Sequence, residues 1–152
     1  MNEEETTRDE EFTNWRGRFI SLTEDVCRER GEPAMAVVDD PDNYLLLDLE
    51  VDGMTFHILH FPDAMERLVV HCRLGTVPAA QDAGILAGTL MSNMPLAYSH
   101  AGMFAVDTKT NELVYSTVES LSELTAEQLL RNISTMVTAA EPWSRHCTRP
   151  SA

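Results

Sequence analysis

Phe12, Trp15, Phe19, Leu22 and Val26 recur at three- and four-residue steps, with Arg16, Arg18, Glu24, Asp25 and Arg28 between them. This spacing predicts an amphipathic first helix that ends near Gly31 and Pro33. Asp39, Asp40, Pro41, Asp42 and Asn43 then form a turn cluster. Beyond it the pattern changes to short apolar-rich segments, 44–51, 54–61 and 66–74, separated by Asp52-Gly53 and Pro62-Asp63. Asp-Gly is a strong hairpin signal, so the segments read as three antiparallel strands. Side chains alternate along a strand, which puts Leu45, Leu47, Leu49 and Val51 on one face of the first. Met54, Phe56 and Ile58 share one face of the second, and that face should pack on helices.

Gly75-Thr76-Val77-Pro78 introduces a second helix, with Thr76 as its cap, Pro78 in its first turn, and Ala83, Leu86, Leu90 and Met94 at helical spacing up to Pro95. Gly84 and Gly88 lie inside it, each costing about 1 kcal/mol against Ala, so something should offset them. Segments 104–107 and 113–117 flank the polar loop Thr108-Lys109-Thr110-Asn111 and give two more strands. Thr125 and Gln128 form a capping box, Leu124 and Leu129 a hydrophobic staple, and Leu129, Ile133, Met136, Ala140 and Trp143 an apolar stripe. Pro142 should end or kink this third helix near Ala140, leaving Trp143 just beyond. The element order is α-β-β-β-α-β-β-α. Strands arriving in hairpin-joined runs specify an α+β class, with an antiparallel sheet of about five strands and three helices. Residues 1–10 read as an acidic flexible tail, 11–147 as a single domain and 148–152 as a second tail.

Charge narrows the function. The 152 residues include 25 acidic and 11 basic side chains, a net charge of −14, which repels phosphate backbones and anionic membranes at long range. The start has neither the basic residues nor the apolar run of a signal peptide, and no apolar stretch reaches membrane-spanning length, so a cytoplasmic location is expected. Cys27, Cys72 and Cys147 are odd in number and widely spaced, which suits reduced thiols. No phosphate-binding loop occurs. His57, His60 and His71-Cys72 come nearest to a metal cluster, but strand spacings of three and one put neighbours on opposite faces. Asp39, Asp40 and Asp42 lack the Gly and distal Glu of a calcium loop. No catalytic residue, metal site or cofactor is assigned. Leu59, Phe61, Leu68, Val70 and Cys72 cannot all share a side with Phe56 and Ile58, so some apolar strand surface is left for a protein partner.

Several phrases in order resemble the class I chaperones of bacterial type III secretion, the Tir chaperone family. They are Leu74-Gly75-Thr76-Val77-Pro78; Ile85-Leu86 with Leu90-Met91 and Asn93; Gly102-Met103-Phe104-Ala105-Val106-Asp107 with Leu113-Val114-Tyr115; and Ala139-Ala140-Glu141 with Trp143. The similarity spans roughly residues 12 to 146, while Gly84, Gly88 and Pro142 depart from the helix formers usual there. The resemblance implies a homodimer in the bacterial cytoplasm that holds the N-terminal segment of a secreted effector extended. It would deliver that cargo to the export apparatus, with the secretion ATPase as a candidate partner, and would make or break no bond. It places the dimer contact on the second helix, with Gly84, Leu86, Gly88, Leu90 and Met91 as its residues. Strand addition and apolar pockets suit such cargo, and Trp15, Phe19, Leu45, Leu47, Phe56 and Ile58 are the candidate groove. The competing readings are a regulatory or adaptor domain of the same fold binding a folded partner, and a small hydrolase using Cys72 with a histidine.

Overall fold

A computed structural model describes residues 3–37, 40, 42–99 and 101–149, with only the helical backbone for 3–14. Asp39 and Pro41 of the turn cluster, residues 150–152 and the side chain of Phe12 therefore lie outside the described residues. The elements are α1 (Glu3–Glu29), β1 (Leu45–Val51), β2 (Met54–His60), β3 (Arg67–Thr76), α2 (Asp82–Tyr98), β4 (Met103–Asp107), β5 (Glu112–Ser120) and α3 (Ala126–Ser144). This is the α-β-β-β-α-β-β-α order read from the sequence. The strands form one antiparallel sheet in the order β1-β2-β3-β5-β4.

Local chemistry sets most of the joints. Asp52 and Gly53 both have positive φ, 50° and 76°, the pair of left-handed residues that a two-residue type I′ hairpin needs. Asn111, at φ 58°, closes the β4–β5 loop, its N–H donating to the Asp107 carbonyl at 2.7 Å. At the end of α1, Gly31 N–H donates to Arg28 and Glu32 N–H to the Cys27 carbonyl, a Schellman closure around the left-handed Gly31. The capping box of α3 is complete: Gln128 N–H donates to Thr125 Oγ1 and Thr125 N–H to Gln128 Oε1. The staple residues Leu124 and Leu129 are both buried.

The register decides the core. Phe56 lies opposite Leu49 and Cys72, and Ile58 opposite Leu47 and Val70, so Leu68, Val70, Cys72 and Leu74 extend the apolar face of β1 and β2. Phe19, Leu22 and Val26 of α1 and Leu129, Ile133, Met136 and Ala140 of α3 complete one cluster with it. No described helix residue clusters on the opposite face.

Four boundaries differ from the sequence reading. α1 begins at Glu3, so residues 3–10, read from the sequence as an acidic flexible tail, are helical backbone. Residues 3–16 contain no Gly or Pro to interrupt the helix. Thr76 is the last residue of β3 and not a helix cap; α2 starts six residues later, at Asp82. Pro142 does not end α3, which runs to Ser144 with Trp143 inside it. A proline this close to a helix end forfeits one backbone bond, and that of the exposed Thr138 carbonyl can be made to water. Finally, Thr148, assigned to a tail, forms an antiparallel bridge with Thr76, the two backbone bonds being 2.9 and 2.8 Å.

α2 is held by one two-way clasp. Asn93 Nδ2–H donates to the Phe104 carbonyl at 2.9 Å, and Phe104 N–H donates to Asn93 Oδ1 at 2.7 Å. The ring of Trp143 lies against Gly88 and edge-on to Phe104 at 6.0 Å. A Cβ on Gly88 would meet Trp143 Cη2 at 2.5 Å, which is why the helix carries Gly there despite its propensity. Gly88→Ala should therefore lower the thermal midpoint, overpacking of about 1–3 kcal/mol exceeding the helix-propensity gain of about 1 kcal/mol. Trp143→Phe should recover part of the loss in a double-mutant cycle; additive effects would reject the contact.

Candidate functional site

Two apolar surfaces and one polar sheet face are available to a partner. The first lies on α2 and β4. Leu90, Met91, Met94 and Tyr98 are 65 to 77% exposed, and Met103 and Val106 are exposed on β4, the strand that Asn93 of α2 clasps. Of the proposed dimer residues, Leu90 and Met91 lie in this patch, and Gly84 is exposed with open space around it. Leu86 is half-buried against the core, and Gly88 faces Trp143 of its own chain. The buried residues of α2 are Ile85 and Thr89, and of the stripe Ala83, Leu86, Leu90 and Met94, Leu86 alone packs on the core. This helix is apolar on more than one side, so periodicity alone cannot orient it; the Asn93 clasp does. For this reason the sequence does not show Met94 and Tyr98 to be surface residues.

The second surface lies where α1 passes the far end of β1 and β2. Phe19, Leu45, Leu47, Phe56 and Ile58, five of the six groove candidates, have at most 1% of their surface exposed and form the core under α1. Alternation correctly put the β1 and β2 residues on one face, but that face is inward. Trp15 is half-buried and lines a cleft of about 270 Å³ with Ala64, Met65, Glu66 and Arg67. Tyr44 and Phe61, exposed and with ring centroids 5.8 Å apart, flank the same end of the β1–β2 ladder, next to its first pair, Leu45–His60.

A buried histidine shapes this end. His60 stacks on Phe19 at 5.7 Å, and its Nε2 lies 2.7 Å from the Met65 carbonyl. A carbonyl only accepts, so Nε2 carries the hydrogen. The bond holds Met65 at φ 54° with its side chain exposed. His60 Nδ1 is buried with no partner among the described residues, a local cost of about 1–3 kcal/mol for this arrangement.

The uncovered sheet face carries a row of polar side chains. His57 lies opposite Asp48 on one side and His71 on the other, with His57 Nε2 3.6 Å from Asp48 Oδ1. Burial and the neighbouring His57 hold the His71 imidazole below its usual pKa, against an opposing pull from Asp107. One step along, Arg73 clasps Glu112 through contacts of 2.6 to 2.9 Å, and Glu112 is buried. His60 and Cys72 lie on the inner face, as the spacing argument required. Among the described residues no group of three or more His, Cys, Asp or Glu could hold a metal ion. Cys72 is fully buried 3.7 Å from the Met54 sulfur, and burial pushes its thiol up to about 12. Such a thiol is neither ionised nor reachable at neutral pH, which removes the basis of the hydrolase reading.

The sequence profile of the Tir chaperone protein (CesT) family matches residues 37–144, from the middle of the linker after α1 to the last residue of α3. The chain belongs to the Tir chaperone protein (CesT) family. No curated protein sequence matches it. The fold of this Tir chaperone family member is also that of chains in several solved complexes. One, in the crystal structure of the ExsC-ExsE complex, is 17% identical with a TM-score of 0.69, covering 89% of this chain and 97% of that one. Another, in the HopA1-SchA chaperone-effector complex, is 16% identical with a TM-score of 0.62, covering 84% and 94%. A third, in the Yersinia pestis type III secretion chaperone SycH in complex with a fragment of YscM2, is 20% identical with a TM-score of 0.58, covering 82% and 98%. At these identities the likeness establishes the shared fold. Within this chain Gly88 makes room for Trp143, and Pro142 sits in the last turn of α3.

Proposed function

We propose that this chain is a non-enzymatic, homodimeric chaperone that binds the N-terminal segment of a type III secreted effector and keeps it extended. It then delivers that segment to the export apparatus, where the secretion ATPase is the candidate receiver. The observation that carries the reading is the family match over residues 37–144. The two apolar surfaces support it, since contiguous exposed apolar patches on a water-facing protein mark sites for other chains.

The roles divide between the patches. Leu90, Met91, Met94 and Tyr98 on α2, with Met103, supply the dimer contact, an area too apolar to stay wet in a stable monomer. Cargo takes the other end: Trp15 with Tyr44, Phe61 and Met65 receives apolar side chains, while β1, which among the described strands pairs with β2 alone, offers its outer edge to an extended backbone. A bacterial cytoplasmic location follows from the same role, because cargo must be met before export. No helix of the described residues is long and apolar enough to cross a membrane.

Affinity capture from the native host tests this reading against the adaptor alternative. The tagged chain should recover one or a few secreted proteins, and limited proteolysis of the complex should leave a fragment near the cargo's N-terminus. A folded partner with no protected leader would favour the adaptor. Tyr44→Ala combined with Phe61→Ala should weaken capture at least ten-fold and leave the thermal midpoint nearly unchanged, because both rings are exposed. Undiminished capture would remove cargo from this end of the sheet.

A further inference from the structure

We propose that the stretch of β3 beyond β2 is a second strand-addition slot, for an extended client segment bearing a basic residue, and that Thr148 and Arg149 of the chain itself are its resting occupants. The client's identity rests on the chaperone reading; the slot rests on geometry.

The ladder between β2 and β3 ends at Thr55–Arg73, whereas β3 continues to Thr76 with β5 still paired on its other side. Leu74, Gly75 and Thr76 therefore present an open edge on the β2 side, and the segment after α3 fills it. Thr76 N–H donates to the Thr148 carbonyl at 2.9 Å and Thr148 N–H donates back at 2.8 Å, an antiparallel pair made by main chain alone. The β3 backbone is shaped for a passing strand. Gly75 sits at φ 104°, and a Cβ there would run into the Thr148 carbonyl. Main-chain pairing of this kind accepts any extended segment with little regard to side chains.

The occupant is lightly held. Thr148 and Arg149 are exposed, and neither side chain makes a hydrogen bond or ion pair among the described residues. Arg149 also divides two clefts. On one side a space of about 700 Å³ is lined by Asp48, Glu50, Thr55, His57 and Arg73; on the other about 530 Å³ is lined by Asp52, Val137 and Glu141. Met54, Ser144 and Arg149 line both, so withdrawing the segment would join them into one groove across the end of the sheet.

Charge selects the client. Among the described residues Arg73 is committed to Glu112 and Arg145 to Glu141, and Arg149 is a cation that lines both clefts, whose walls also carry Asp48, Glu50 and Asp52. A displacing segment keeps that balance when it carries Lys or Arg one residue after the position that pairs with Thr76. The chain's own Thr148-Arg149 is the pattern to be mimicked. A tethered occupant acts at a local concentration in the millimolar range, so an outside segment succeeds only when its other contacts are already made. That makes the slot a late step in capture, after the apolar surfaces have engaged.

The test uses a labelled peptide of residues 145–152 as the probe, under reducing conditions, with full-length chains. In the chain carrying Thr148→Pro and Arg149→Glu the own segment loses its donor and its cation, and the peptide should bind at least ten-fold more tightly than to the unaltered chain. A peptide with Arg149→Glu should bind at least five-fold more weakly than the parent peptide. Equal binding to both chains, or none to a variant whose circular dichroism and thermal midpoint match the unaltered chain, overturns the slot. Hydrogen exchange of the unaltered chain decides independently of folding. The Thr76 amide should exchange at least a hundred-fold faster than that of Cys72, and exchange as slow as at Cys72 would mean a fixed segment. No effector is needed, so failure here sinks the slot without touching the chaperone reading.

Discussion

Phe56→Ala should destabilise the protein by about 3–5 kcal/mol, seen as a lower urea midpoint at unchanged slope. Phe56 has no exposed surface and lies between Leu49 and Cys72 on the inner face of the sheet. Truncation leaves a cavity that the flanking strands cannot close without breaking their ladders. Against a total stability of roughly 5–15 kcal/mol for a domain of this kind, the loss is large. The same substitution separates two roles. If Phe56 is core, the affinity of the remaining folded molecules for cargo stays the same. If Phe56 lined a binding groove, stability would hold and affinity would fall, and the assignment of the inner face would have to be reversed. Thr55→Ala, one position away on the other face, should cost about 0.5 kcal/mol or less.

Leu90→Glu together with Met94→Glu should convert the proposed dimer to monomer. The two positions are one helical turn apart on the exposed side of α2, so a self-complementary contact there would bury both charges without partners. Each unpaired buried charge costs well over 1.4 kcal/mol, the equivalent of ten-fold in affinity, so the dissociation constant should rise at least a hundred-fold. Analytical ultracentrifugation reads this directly. The monomer should remain folded, because both side chains are largely exposed within one chain. Leu90→Lys with Met94→Lys provides the control for net charge, moving the chain from −14 toward neutrality and still dissociating it. An unchanged sedimentation coefficient in either variant would remove α2 from the interface. Gly84→Leu is a cleaner probe of helix–helix approach than a double glycine replacement, since Gly88 already answers to Trp143.

The candidate sites were only partly readable from the chain, for different reasons at each. The groove residues on β1 and β2 share the face that the sequence reading packs on helices, but alternation does not report whether space for cargo remains there, and burial to 1% exposure or less leaves none. Trp15 belongs to the surface set because α1 crosses the sheet at an end where Met65 is turned outward. That turn depends on a bond from His60, and no local pattern encodes it. On α2, apolar residues occupy both sides, and orientation came from one Asn side chain meeting the backbone of a strand eleven residues away. The register between β2 and β3, which decided that Val70 and Cys72 are inside, joins segments through a loop whose Met65 geometry is itself tertiary.

The chain alone determined the element order, the hairpins at Asp52-Gly53 and at Thr108–Asn111, the α3 cap, the closure of α1 at Gly31 and the shared apolar faces of β1 and β2. Each of these is written in residues a few positions apart, where φ preference and hydrogen-bonding reach act directly. Only the tertiary structure decided which side of α2 meets the body, why Gly88 is tolerated, that α3 runs through Pro142, and where Thr148 and Arg149 lie. Those features are contacts between elements distant in sequence. Their free energy is realised only when burial and register bring the partners together.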